Sequence, residues 1–293
     1  MELLVTLHKK ENFETLRKLD ITGVIFGSEF AYGYDLSLDD LVIYSDKCLS
    51  FKFKRYISLN TTIQQNDLEK LDAYMDLIKE LDFDGIYFSD FAVASKAFEK
   101  DLQDKLIYDP NSLVNNIHDI GFMADYNIPC VLARELTKEE LEHICKLEPF
   151  KVDMQIFGHL RMSESKRYFI TNYFRNFNIN ENPRNKKTYT LKEDNRDYRL
   201  PIYEDENGTC VYTDYVFALY GELPFFAKYL KRAIIDDLFL DFDVVVDYIR
   251  NIPNLSKETG DVIKESMKNK FPRYDFSTGY LFQKTTDTKV EDE

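Results

Sequence analysis

The chain has 293 residues, 44% of them hydrophobic and 31% charged, with 20 Tyr, 23 Phe and no Trp; that is enough apolar material for one large folded domain and excludes a disordered chain. A net charge of −14 excludes nucleic-acid binding over the whole surface, because non-specific affinity comes from cations that neutralise phosphates. Cys48, Cys130, Cys145 and Cys210 lie far apart with no C-x-x-C spacing, which excludes a locally spaced zinc or Fe–S site and points to a reducing, cytoplasmic setting.

Short β-rich runs alternate with helical patterns through the first 158 residues. The runs are Glu2–Leu7, Gly23–Gly27, Arg55–Asn60, Gly85–Ser89, Lys105–Tyr108, Cys130–Arg134 and Val152–Phe157. Most are apolar on both faces, as strands are when covered by helices on one side and packed internally on the other. Asn66-x-x-Glu69 and Thr137-x-x-Glu140 read as capping boxes, and Leu68, Leu71, Met75, Ile78 and Leu81 recur at helical spacing after the first. Seven strand–helix units, with an eighth strand at Ala233–Leu240, predict a (β/α)8 TIM-type barrel.

The alternation breaks after Gly158. A basic and aromatic run and an Asn-rich stretch precede a hairpin, Arg199–Asp205 and Thr209–Thr213, whose Asn207-Gly208 suits a tight turn. Residues 159–215 are expected to be an insertion over one end of a single barrel domain spanning 1–282. Helical segments follow at Phe242–Asn251 and Lys257–Lys270, and 283–293 is expected to be a frayed polar tail. The N-terminus lacks a basic signal region, and no stretch approaches the ~20 apolar residues of a membrane span, so no membrane association is expected.

No phosphate-loop, zinc-protease or serine-hydrolase motif is present. Positional logic remains: in a barrel, functional groups sit at the C-terminal ends of strands. Those ends carry Glu29, Asn60, Asp90, Asn111, Arg134 with Glu135, His159 and Asp241. Such residues suit a polar site, and would equally serve as helix caps, Asp90 and Asn111 above all. Arg134-Glu135, on an apolar strand, must pair with each other or face a wet cavity. Residues 161–199 hold ten Lys and Arg against five Asp and Glu, a local balance of +5 that leaves −19 to the rest. Here Lys166, Arg167 and Arg175 interleave with Tyr168, Tyr173 and Phe174, a pattern suited to single-stranded RNA or to a small dianion. A solvated helix whose aromatics pack on the barrel would show the same pattern. The four His form no dyad by spacing; His159 is the best placed.

Several blocks in order resemble one family. They are Glu2-Leu3-Leu4-Val5-Thr6, Val131-Leu132-Ala133-Arg134-Glu135-Leu136, Gly158 followed by Ser165-Lys166-Arg167 and Asn172-Tyr173-Phe174, Arg196-Asp197, Pro201 to Thr209, and Thr278-Gly279-Tyr280. The set is similar to the peptidase U32 family of collagenase-like proteases, and within it to the short branch linked to tRNA hydroxylation. The resemblance implies a barrel and a part in forming 5-hydroxyuridine at the tRNA wobble position, with prephenate as the hydroxyl source. On that reading Arg134, Lys166, Arg167 and Arg196 hold the carboxylates of a prephenate-like dianion, or a phosphate, with Ser165 beside them. Asn60, Asp90 and Glu135 orient it; Tyr168, Tyr173 and Phe174 shape the pocket or stack a base, and with Arg175 are the expected local RNA contacts.

The family motif His-Gly-x-x-Cys stands here as Phe157-Gly158-His159-Leu160-Arg161, and Lys-x-(Asp/Glu)-Gly as Phe239-Leu240-Asp241-Phe242. The downstream cysteines of longer members are absent, so no Fe–S cluster and no metal is expected and no catalytic residue is assigned. Two readings lead: an RNA-modifying protein, or a non-catalytic subunit beside a longer, Cys-bearing U32 paralogue. A peptidase is the third.

Overall fold

A computed structural model of the chain describes residues 1–34, 36–147, 152–194 and 197–283. In chain order the elements are β1 (Glu2–Leu7), α1 (Phe13–Leu16), β2 (Gly23–Phe26), α2 (Leu38–Ser50), β3 (Lys54–Leu59), α3 (Leu68–Glu80), β4 (Gly85–Phe88), α4 (Phe91–Glu99), β5 (Leu106–Tyr108), α5 (Ile117–Ala124) and α6 (Lys138–Lys146). Then come β6 (Asp153–Ser165), α7 (Phe169–Asn176), β7 (Thr190–Lys192), β8 (Arg199–Asp205), β9 (Gly208–Ala218), α8 (Leu223–Phe226), β10 (Arg232–Ile235), α9 (Phe242–Asn251), α10 (Gly260–Lys270) and β11 (Phe276–Ser277). The sheet runs β5-β4-β3-β2-β1-β10-β6-β9-β8-β7, with β11 on β9. It is parallel from β5 to β6 and antiparallel through β6, β9, β8 and β7.

Strand alternation sorts the side chains into two layers. Outward residues such as Leu3, Val5, Leu7, Val24, Phe26, Ile57, Leu59, Ile86 and Phe88 join the helices in the main core. Leu4, Ile25, Tyr56, Tyr87 and Ile107 from β1 to β5, Ile234 from β10 and Val131 from the segment after β5 form a separate inner cluster. Below it, towards the strand N-termini, Arg232 donates to the fully buried Asp153 at 2.6 Å and the Tyr87 hydroxyl donates to the same oxygen at 3.1 Å.

Three expectations change. Residues 130–134 form no laddered strand. Cys130 and Val131 make isolated parallel bridges to Tyr108 and Asp153, and the chain then turns away as the Ala133 N–H bonds the Val114 carbonyl at 2.9 Å. Among the described residues the ladder of strands is therefore open between β5 and β6, so the sheet is an α/β one, mostly parallel and not closed by continuous ladders. The eighth strand ends at Ile235 instead of Leu240, because the Leu238 N–H turns back to the Asp236 carboxylate at 2.9 Å and Phe239 adopts φ +65°. The seventh does not stop at Phe157. It runs on to Ser165, paired with β9, so the inserted hairpin extends the sheet.

Local capping follows sequence more closely. The Thr137–Glu140 box forms, while α3 is preceded by a box between Gln64 and Asp67 instead of Asn66 and Glu69. Asp205 pairs with Gly208, which puts Glu206-Asn207 at the centre of the hairpin turn. Gly208 is needed for space: a Cβ there would lie 2.1 Å from the Ser165 carbonyl oxygen, at φ +122°. The expected tail from 284 onwards lies outside the described residues. Among the described residues, no helix is long and apolar enough to cross a membrane.

Candidate functional site: a charged cavity at the strand C-termini

The alternation that buries Leu4 also points Thr6 and His8 inwards. It does the same for Ser58 and Asn60 beyond Tyr56, for Asp109 and Asn111 beyond Ile107, and for Asp236 beyond Ile234. These side chains, with Gln155, Arg134, His159, Arg161, Tyr32, Tyr34 and Tyr212, line a cavity of about 70 Å³. A bulge in β6, where Gln155 and Phe157 face consecutive residues of β10, re-aims that strand just before Gly158. Gly158, at φ +119°, passes so close to Asp236 that a Cβ would lie 2.5 Å from its carbonyl oxygen.

Arg134 is held on three sides. Its Nε donates to Gln155 Oε1 at 2.8 Å, and its Nη1 donates to the carbonyl and side-chain oxygens of Asn111 at 2.9 and 2.8 Å. Its Nη2 lies 3.7 Å from Asp109. Burial pulls the Arg134 value down, opposed by Asp109. Arg161 enters the same cavity from β6, with Nη1 3.4 Å from Glu164. Burial disfavours its charge, but Glu164 and the surrounding acidic groups outweigh that and hold the guanidinium above its usual value. Asp109 Oδ1 and Arg161 Nε are buried with no hydrogen-bond partner among the described residues. Orphaned charged atoms of this kind are costly unless a bound molecule completes them.

A second network borders the cavity at Thr6 and His8. Asp237 Oδ1 accepts the Thr6 hydroxyl at 2.9 Å, the His8 backbone N–H at 3.3 Å and lies 2.5 Å from His8 Nδ1, while Oδ2 accepts Asn12 at 3.2 Å. Burial would raise this carboxyl, but His8, Thr6 and Asn12 together hold it below the usual value. The His8 ring stacks on Tyr34 at 4.0 Å. His8, Asp236 and Asp237 come close enough to meet around a cation. Asp237 Oδ1 already accepts the Thr6 hydroxyl and the His8 backbone N–H. Burial first, then Asp236 and Asp237, drive the Tyr34 hydroxyl well above its usual value.

The expected site residues divide sharply. Arg134, Asn60 and Asn111 stand in the cavity, with Asn60 donating to Asp109 at 3.4 Å. His159 also lines it; its Nδ1 bonds the Thr213 carbonyl at 2.7 Å, and burial lowers its value. Asp90 is not in the cavity: it caps α4 through the Ala92 N–H at 2.9 Å and accepts the Ile63 N–H at 2.9 Å. Glu135 is exposed in an outer groove of about 290 Å³ that shares Arg134 and Arg161 with the cavity and adds Tyr198, Tyr215 and Tyr280.

Ser165, Lys166 and Arg167 do not reach the cavity, because β6 carries them past it. Ser165 Oγ accepts the Arg167 N–H at 3.2 Å. Lys166 and Tyr168 line a separate hollow of about 330 Å³ with Glu29, Lys70 and Asp205. Glu29 pairs with Lys70 at 2.5 Å, and Asp241 pairs with Arg273. Tyr173 and Arg175 are exposed on α7, and Phe174 meets the Tyr189 ring edge-on at 5.5 Å. Arg196 lies outside the described residues. Residues that went unassigned, namely Arg161, His8, Asp109, Gln155, Tyr34, Tyr212, Asp236 and Asp237, follow largely from reading the inner-face positions before and after each strand end, and not its last residue alone.

Comparison with known proteins adds identity. The model of peptidase family U32 matches residues 30–234. The chain is 26% identical over 274 residues to the tRNA hydroxylation protein P2 of Bacillus subtilis, covering 90% of this chain and 87% of that protein. It is 22% identical over 220 residues to a collagenase of Porphyromonas gingivalis, covering 69% and 53% of the two chains. It is 28% identical over 125 residues to an uncharacterized protease of Methanocaldococcus jannaschii, covering 41% and 30%. Among solved structures, a U32 peptidase aligns over 80% of this chain and 92% of its own at 11% identity, with a TM-score of 0.49.

Proposed function

The chain belongs to peptidase family U32, and on that premise we propose that it serves tRNA wobble-uridine 5-hydroxylation, its cavity holding a prephenate-like dianion. The observation that carries this reading is Arg161. It occupies the place of the cysteine in the family motif, lines the cavity with Arg134, and brings a second guanidinium where a thiol would stand. Two planar guanidiniums are matched to the two carboxylates of a small dianion by charge-assisted hydrogen bonds. The orphaned Arg161 Nε supplies an unused donor.

The likeness to a tRNA hydroxylation protein along nearly the full length of both chains supports the RNA side of the reading. So do α7 and the residue after it, where Phe169, Tyr173 and Phe177 are exposed beside Arg175 within a basic segment of an acidic chain. Contact with tRNA is local, by stacking and phosphate pairing, and the place of action is the cytoplasm. The architecture is read as a (β/α)8 barrel whose sixth stave is residues 129–132; the inner cluster that includes Val131 and its neighbours around the sheet supports this.

A peptidase is the second reading, favoured by the names of two relatives. The site gives it little. All four cysteines are buried, and burial pushes their thiols up to about 11 for Cys145 and about 12 for the others. The cavity hydroxyls Thr6 and Ser58 have no hydrogen bond to His8 or His159 among the described residues. A nucleophile needs such a base within reach. The absent thiol is instead consistent with a subunit that binds the dianion and presents tRNA beside a longer, Cys-bearing U32 paralogue.

Nucleoside mass spectrometry of tRNA from a strain lacking the gene tests the proposal. Loss of 5-hydroxyuridine derivatives is expected, and unchanged levels overturn it.

A further inference from the structure

We propose that the outer groove beside the cavity seats the target nucleoside, one unpaired uridine of tRNA, with its ring against Tyr215 and Tyr280 and its polar edge towards Arg134, Arg161 and the acids of the groove. This rests on the tRNA-hydroxylation reading above and gives the base a place next to the cavity ligand.

Separate stretches of chain build the groove. Arg161 comes from β6, Asp214 and Tyr215 from β9, Tyr280 from the turn after β11, and Arg134 and Glu135 from the segment between α5 and α6. The two long strands are out of step here. His159 pairs with Val216 and Arg161 with Tyr212, so Leu160 alone stands against three residues of β9, Thr213 to Tyr215. Thr213 fixes this bulge: its hydroxyl accepts the Leu160 N–H at 3.0 Å and donates to the Tyr215 carbonyl at 2.7 Å. Bulges beside a site re-aim side chains, and here Asp214 and Tyr215 line the groove. β11 pairs with β9 at Val216 and Phe217, which brings the Thr278-Gly279-Tyr280 block to the same place. Gly279, at φ +57°, leaves room for the Tyr215 hydroxyl, which a Cβ there would approach to 3.1 Å. Burial first, then Tyr280, Asp214 and Glu135, push that hydroxyl up to about 12, so the phenol stays neutral.

The chemistry of the groove selects a neutral ring with a polar edge. An anion would meet the exposed carboxylates of Glu135 and Asp214. Uracil is uncharged, and its edge sets an N–H donor between carbonyl acceptors. Guanidinium N–H groups and carboxylate oxygens are the matching partners, and tyrosine rings give the base a stacking face. At about 290 Å³ the groove lies near the lower end, roughly 300 Å³, of small-molecule sites. That suits one nucleoside taken out of its stack and not a paired strand. Arg134 and Arg161 line groove and cavity alike, so a base seated there borders the cavity ligand across those two side chains. The forked donors of a guanidinium serve both sides. The exposed face of α7 is left for neighbouring nucleotides.

The experiment uses the full chain and an anticodon stem-loop RNA carrying 5-bromouridine at the wobble position. Irradiation cross-links that base to the ring it touches, and peptide mass spectrometry locates the product. A cross-link on Tyr215 or Tyr280 is expected. The same stem-loop is then compared with uridine and with an abasic sugar at that position. Wild type should bind the uridine loop about tenfold more tightly than the abasic one, the worth of one stacked base. Tyr280→Ala should lose that preference while binding the abasic loop as wild type does, and Tyr280→Phe should keep it. A cross-link confined to α7 or absent from both tyrosines, a uridine preference that survives in Tyr280→Ala, or equal binding of the two loops by wild type overturns this proposal and leaves the tRNA reading standing. Failure of wild type to bind either loop overturns both.

Discussion

Glu204 accepts the backbone N–H of Ile170 at 2.8 Å, which places a fully buried carboxylate of β8 on the first turn of α7. The same carboxylate receives the Thr171 N–H at 3.2 Å, the Thr171 hydroxyl, and the Thr209 hydroxyl at 3.0 Å. A negative group at a helix N-terminus satisfies free N–H groups and the helix dipole together. The hairpin thus fixes the helix that carries the exposed aromatic face. Glu204→Ala is expected to cost about 2–3 kcal/mol by urea unfolding, from several donors left unmet. A change below about 0.5 kcal/mol would mean that α7 is held by other contacts.

The Arg232–Asp153 pair at the opposite end of the strands is 4% and 0% exposed. Burial raises Asp153, opposed by Arg232 and Tyr87. Replacing one partner leaves a bare charge in the core, so Asp153→Ala should destabilise by about 3–5 kcal/mol. The double variant Asp153→Leu with Arg232→Met should cost clearly less than the single one, and equal costs would show that the pair is not coupled.

Asp205, at the hairpin tip, is 5% exposed and accepts the Asn207 N–H at 2.8 Å. Burial pushes its carboxyl up to about 6, against ~3.9 in an unfolded chain. Between those values the folded chain holds the proton and the unfolded chain does not. Its contribution therefore favours folding at the acid end and is lost as the pH rises through about 6. Relative to wild type, Asp205→Asn should gain about 2 kcal/mol between pH 4 and pH 7. A difference that does not change with pH would contradict this.

Tyr173 and Arg175 lie on the exposed face of α7, where the Tyr173 ring meets only the exposed Phe177 at 4.6 Å and the edge of Phe174 at 6.4 Å among the described residues. Tyr173→Ala should leave stability unchanged and weaken tRNA binding about tenfold or more, the worth of one stacked base. Arg175→Ala should lower the salt dependence of binding by about one phosphate contact. Unaltered affinity in both would remove α7 from the RNA surface.

The strand–helix alternation was legible because burial on both faces leaves long apolar runs, and β1, β8 and α9 begin and end where the sequence places them. The 130–134 segment reads as a full strand in sequence because its apolar run continues past Cys130 and Val131, which do bridge their neighbours, to the point where the Ala133 backbone bond to Val114 diverts it. In the site, Arg134 and Asn60 were legible from strand-end position. Lys166 and Arg167 were not excluded, because nothing local reveals that β6 continues to Ser165 and carries them beyond the cavity. Asp90 looks the same in sequence whether it caps a helix or meets a ligand. The His8–Asp237 pair joins residues 229 positions apart, a contact that only the closing of β10 onto β1 creates.

The most direct test of the account complements a strain lacking the gene with wild type, Arg134→Ala or Arg161→Ala, each checked for folding by thermal melting, and reads tRNA by nucleoside mass spectrometry. Loss of one guanidinium removes charge-assisted hydrogen bonds worth about 2–3 kcal/mol, or roughly 30- to 150-fold in dianion affinity. The account predicts that wild type restores 5-hydroxyuridine derivatives and that neither folded arginine variant does. Full restoration by both variants would contradict it.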